Sequence, residues 1–147
     1  MSADEQVAKD LVETLKDGRN GYDAAAQKLR DSDRPEWAQV MERFSQQRAQ
    51  FAEQIVQMGH AYGDDVDEGG SLAARLHRGW LAMKDAVTGD DAGSVLSAAA
   101  TGEDHAVSEY EKALESDLSD GFRAVVHEQH QSVVAARDEV KALQSMD

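Results

Sequence analysis

Apolar residues recur every three or four positions along most of this chain, the period of an amphipathic helix. Over about 4–30, Val7, Leu11, Leu15, Gly18, Tyr22, Ala25 and Leu29 fall on one face. Ser2 and Glu5 form a capping box at its start. Gly18 and Gly21 flank Tyr22 and give a neighbouring backbone or ring room to approach. Asp31-Ser32-Asp33 reads as a turn, and Asp33, Pro35 and Glu36 then supply a cap, an early proline and a first-turn acid. They open a second helix over about 35–62, with Trp37, Val40, Met41, Phe44, Phe51, Ile55, Met58 and Tyr62 inward.

The longest loop covers 63–70 and is followed by a shorter helix over about 71–88, carrying Leu72, Leu76, Trp80, Met83 and Val87. Gly89-Asp90-Asp91 ends it. The next helix spans about 91–116, with a kink expected at Thr101-Gly102, where Thr101 and Asp104 make a second capping pair. After a break at Ser119-Asp120-Gly121, a last helix over about 121–143 turns Phe122, Val125, Val126, Val133, Ala136, Val140 and Leu143 inward. Four long helices of roughly 35–40 Å each, at about 1.5 Å rise per residue, assemble most simply as two hairpins. The expected fold is all-α: a single four-helix-bundle domain over 1–147, with the shorter helix in the connection between hairpins.

Polar residues interrupt these stripes at three places. Glu103 lies in the middle of the face formed by Ala92, Leu96, Ala99, Ala106, Val107, Tyr110 and Leu114. Arg48 is central on the second helix, and Gln129 sits among the inward residues of the last. A carboxylate inside an apolar stripe must pair with a cation, bind a metal or stay protonated. Arg48, Glu103 and Gln129 come from three helices, so the leading expectation is a buried polar layer built on an Arg–carboxylate pair. Glu103 as a metal ligand is the alternative.

Composition narrows the function classes. Fifteen Lys and Arg against 29 Asp and Glu give a formal charge of −14, which argues against nucleic acid or anionic membranes as partners, since phosphate contact needs clustered basic residues. Such an acidic surface favours solubility, and a salt-rich cytoplasm is a second reading of it. There is no cysteine, hence no disulfide, thiolate metal site or thiol switch. No apolar run is long enough to span a bilayer, and the acidic N-terminus lacks a signal core. The expectation is a cytoplasmic protein, bacterial in style. The loop Asp64-Asp65-Val66-Asp67-Glu68-Gly69 lacks the residue order of a calcium loop and reads as solvated acid.

The run Gly70-Ser71 … Leu76-His77-Arg78-Gly79-Trp80 … Lys84-Asp85-Ala86 … Thr88-Gly89-Asp90-Asp91 … Gly102-Glu103-Asp104 … Tyr110 … Ala113-Leu114 resembles a bacterial family of ferritin-like four-helix-bundle proteins, classed as a domain of unknown function and akin to Yci-type stress proteins. Leu11-Val12-Glu13 … Lys16-Asp17-Gly18 … Gly21-Tyr22 extends the resemblance over nearly the whole chain. It implies the fold strongly and the function weakly, with stress responses as the link by analogy.

Ferritin-like di-iron sites draw a Glu from each of two helices and Glu-x-x-His from each of the other two. This chain has no Glu-x-x-His. By apolar phase Glu13 and Glu53 face outward, as does His127, and His130 lies at an edge; only Glu103 is inward. His60, His77 and His105 read as surface residues, and neither a nucleophile–base set nor a glycine-rich phosphate loop is present. No cofactor is expected. His77, Arg78 and Trp80 read first as packing and second as a protein-contact patch. The leading function is a non-enzymatic, stress-related protein acting through assembly, as a homodimer or with another protein. The alternative binds iron or another divalent metal at an incomplete or intersubunit site. A third reading is a small-ligand carrier with a pocket near Gly18 and Tyr22.

Overall fold

A computed structural model describes residues 3–59 and 92–146. Among these residues the chain forms four helices and no strand: α1 (Ala3–Arg30), α2 (Trp37–Gly59), α3 (Ala92–Glu115) and α4 (Asp120–Met146). The architecture is an all-α bundle. The helix expected over 71–88, the Ser2 cap, Tyr62, the acidic loop and the His77/Arg78/Trp80 patch lie outside the described residues.

Two helix details depart from the sequence reading. Pro35 and Glu36 lie in a turn and not in α2, because Trp37 and Ala38 donate to the carbonyls of Arg34 and Pro35 at 3.1 Å each, a tight i to i+3 pattern that delays the helix by two residues. Nor does Thr101 open a new helix. Its hydroxyl donates back to the Ser97 carbonyl at 3.1 Å, and α3 runs unbroken through Gly102.

Burial divides the interior into two apolar clusters, and their membership fixes helix direction. One holds the C-terminal part of α1 (Tyr22 to Leu29), the start of α2 (Trp37 to Phe44), the start of α3 (Ala92 to Ala100), and Ala136 and Val140 near the end of α4. The other holds Val7 to Leu15 of α1, Ala52 and Ile55 of α2, Ala106 to Ala113 of α3, and Phe122 to Val133 of α4. Hence α1 and α4 run one way, α2 and α3 the other. α2 ends at the opposite end of the bundle from where α3 begins.

α1 packs beside α2 and α3, and α4 packs beside α3 and more lightly against α2. Every adjacent pair is therefore antiparallel, and α2 and α3 face each other diagonally across the core. The α1–α2 seam is the most extensive. Ala38, Ser45 and Ala52, seven residues apart on α2, are all buried. Ser45 donates to Asp23 of α1 at 2.5 Å, which turns that small-residue stripe toward α1 and lets the backbones approach. Val40, Phe51 and Met58 are in consequence only half-buried, as are Val125 and Leu143 on α4.

α1 is enclosed more completely than one amphipathic stripe requires, for Leu11 to Leu15 are buried without a break. Glu13, read as outward from its apolar phase, is thus buried at 9% exposure. Asp4 at the start of α1 reaches the α3–α4 turn, accepting from the Ser119 N–H at 2.9 Å and the Ser119 hydroxyl at 2.5 Å. That contact ties the first turn of the chain to the N-terminus of α4.

Candidate functional site: a buried ion pair at the waist of the bundle

Between the two apolar clusters lies a waist where polar side chains enter the core. Arg48 extends from α2, the one guanidinium among the fully buried side chains of the described residues, at 1% exposure. Glu103 faces it from α3 at 0%. Arg48 Nη1 and Nη2 donate to Glu103 Oε1 and Oε2 at 2.5 and 2.6 Å, a bidentate fork. Packed helices stand about 8–10 Å apart side by side, so diagonal partners are separated by roughly 12–14 Å. A long arginine meeting a glutamate spans that gap; Lys, with one point charge, would not reproduce the fork.

α1 shapes the space for this crossing. A Cβ built on Gly18 would lie 3.5 Å from both Arg48 Cγ and Arg48 Nη1. The glycine therefore admits an arginine stem, where the sequence reading placed a backbone or a ring. Tyr22, one turn further on, presents its ring 5.4 Å from the Arg48 guanidinium carbon, within the range of a cation–π contact. Arg48 Nε donates to Gln47 at 3.2 Å. The stem thus lies beside Gly18 and Tyr22.

Two expected outcomes follow for Gly18. Gly18→Ala meets only ordinary van der Waals distances and removes a helix-interior glycine, so it should raise stability by up to about 1 kcal/mol. Gly18→Val adds methyls toward the Arg48 stem and should destabilise by about 1–3 kcal/mol through overpacking. Urea unfolding of the two variants checks both, and equal effects would refute the cradle.

Gln129 is buried at 2% exposure but bonds elsewhere. It accepts from the Tyr110 hydroxyl at 2.6 Å and donates to Gln54 at 2.8 Å. Tyr110 stands two turns along α3 from Glu103, so the three expected polar residues form two adjoining levels. One is Arg48–Glu103 with Tyr22; the other is Tyr110–Gln129–Gln54, which carries the polar chain outward through the α2–α4 seam. Tyr22, Tyr110 and Gln54 are the members that sequence reasoning missed, because a tyrosine on an apolar stripe reads as core packing. The spacing of Tyr110, two turns along α3 from Glu103, was an available signal; no polar interrupter on α1 pointed to Tyr22.

Electrostatics follow from burial. Desolvation opposes the Arg48 charge, but the Glu103 carboxylate outweighs it and holds the guanidinium above its ordinary value. Burial pushes the Tyr22 phenol well above its usual 10.0, and the Glu103 charge adds to that while Arg48 opposes it. The Tyr110 phenol is raised chiefly by burial, with Arg48 opposing and Glu103 reinforcing.

Among the described residues no di-metal ligand set is assembled around Glu103. Both Glu103 oxygens are taken by Arg48, and among the described residues no three His, Cys, Asp or Glu side chains gather to hold a metal ion. Glu53, His105 and His127 are exposed, and His130 is half-buried 4.0 Å from Glu111. Two surface clefts, one beside Asp10, Glu109 and Lys112 and the other beside Asp120, Arg123 and His127, include no member of the buried levels. No described helix is long and apolar enough to cross a membrane.

Among the described residues the chain is an all-α bundle with a polar waist. Residues 5–116 match the family described as a domain of unknown function (DUF2383), and the chain belongs to that family. No curated protein matches it.

Proposed function

We propose that this is a ferritin-like, cytoplasmic bundle protein that acts without catalysis, through contacts with other protein chains, as a homodimer or with a different partner. The observation that carries this reading is the bidentate Arg48–Glu103 pair. Ferritin-like metal sites are built in the bundle core from carboxylates on facing helices. Here a guanidinium supplies the positive charge that a metal would supply, and it engages both oxygens of Glu103, a fully buried carboxylate. Antiparallel neighbours, with a connection that joins opposite ends of the bundle, support the ferritin-like assignment. A stress-related role rests on the resemblance to Yci-type families alone.

The described bundle surface offers little apolar area for such contacts: Met146 is its one exposed large hydrophobic residue. Charged or polar contacts, or the His77/Arg78/Trp80 patch, would therefore carry them. The test is metal analysis of purified protein before and after anaerobic addition of ferrous iron, repeated on Glu103→Gln. The expected result is no stoichiometric iron in either protein. Stoichiometric iron in the parent that is lost in the variant would make Glu103 a ligand and establish the metal-binding alternative, including a site completed between subunits.

A further inference from the structure

We propose that the Arg48–Glu103 pair is the register key of the bundle: its role is to make one packing of α2 against α3 the only low-energy one, at little net gain in stability. The argument starts from the two apolar clusters above and below the pair. Both are built largely from Ala, Val and Leu. Such interiors tolerate rearrangement, because one small aliphatic side chain replaces another with modest loss. α2 and α3 are diagonal partners with few direct approaches, so apart from this pair their mutual register is set indirectly, through α1 and α4.

The ion pair is intolerant where the clusters are permissive. A slip of one helical turn displaces α2 by about 5.4 Å, twice the length of the 2.5 and 2.6 Å bonds that join Arg48 to Glu103. Both hydrogen bonds are then lost, and two opposite charges remain buried without each other. The same slip moves the Arg48 stem off Gly18, the position where α1 leaves room for it. A slip therefore meets a penalty at the waist from two helices at once. Replacing a buried pair by apolar residues of similar volume is often neutral or stabilising, whereas uniqueness of packing is the property at risk.

The test is the double variant Arg48→Met with Glu103→Leu, compared with the parent by thermal melting, amide NMR and hydrogen exchange. The expected result is a melting temperature equal to or above that of the parent, broadened or doubled amide signals in α2 and α3, and α2 amides exchanging at least tenfold faster. A double variant with one sharp set of signals and parental exchange would overturn the proposal. So would a double variant that fails to fold, since that would make the pair a stability element. Arg48→Lys, which keeps the charge and loses the fork, should broaden the same α2 signals to a lesser degree. These readouts concern packing alone and do not depend on the partner reading.

Discussion

Glu103→Ala should lower the unfolding free energy by about 3–5 kcal/mol, the usual loss when one member of a buried pair is removed. The physical reason is the guanidinium left behind. Arg48 is 1% exposed, its two terminal nitrogens would lose both carboxylate partners, and an arginine cannot shed its proton to escape. The reciprocal change should be milder. In Arg48→Leu a stranded carboxylate can take up a proton, at the cost of one desolvated neutral group. Arg48→Leu should accordingly lose less stability than Glu103→Ala. Urea unfolding of the two variants measures this. A smaller loss in Glu103→Ala than in Arg48→Leu would contradict the pairing account.

Steep alkaline unfolding is the second large effect. Tyr22 and Tyr110 both have phenols raised above the ordinary 10.0 in the folded chain, with burial as the leading cause. A raised value means that the folded state keeps a proton that the unfolded state has given up. The stability contribution is then complete below pH 10 and is lost as pH rises toward the elevated folded values. Each such tyrosine removes about 1.4 kcal/mol per pH unit in that window, so the two together give a slope of about 2.7 kcal/mol per unit. Tyr110→Phe should halve the slope, at the expense of the Gln129 acceptor. Absorbance of tyrosinate at high pH, followed beside helical circular dichroism, should show these two phenols ionising only as the helices melt. Free ionisation with the helices intact would show that the two rings are hydrated.

The residues that the sequence placed correctly are those governed by local period. α1, α3 and α4 begin and end within three residues of their expected limits, because cap residues and the 3.6-residue repeat act within a few turns. Arg48, Glu103 and Gln129 were legible as inward polar residues for the same reason, since each interrupts an apolar stripe. Glu13 was misread because phase describes one buried face, and α1 is buried on every side between Leu11 and Leu15. On α2, the small-residue stripe Ala38, Ser45 and Ala52 rotated the buried face toward α1, against the pull of the larger Val40, Phe51 and Met58. Close approach of two backbones outweighed side-chain size there.

By itself, then, the sequence determined helical content, the acidic exterior of a −14 chain and the identity of the polar residues that must enter the core. Only the tertiary structure decided who meets whom. Arg48 joins Glu103 across the diagonal, while Gln129 turns to Tyr110 and Gln54. Periodicity states which side of a helix is buried, but partner choice depends on helix direction, the order of helices around the core and the height of each residue along the bundle. Those quantities are set by packing between segments far apart in the chain, and no local pattern encodes them.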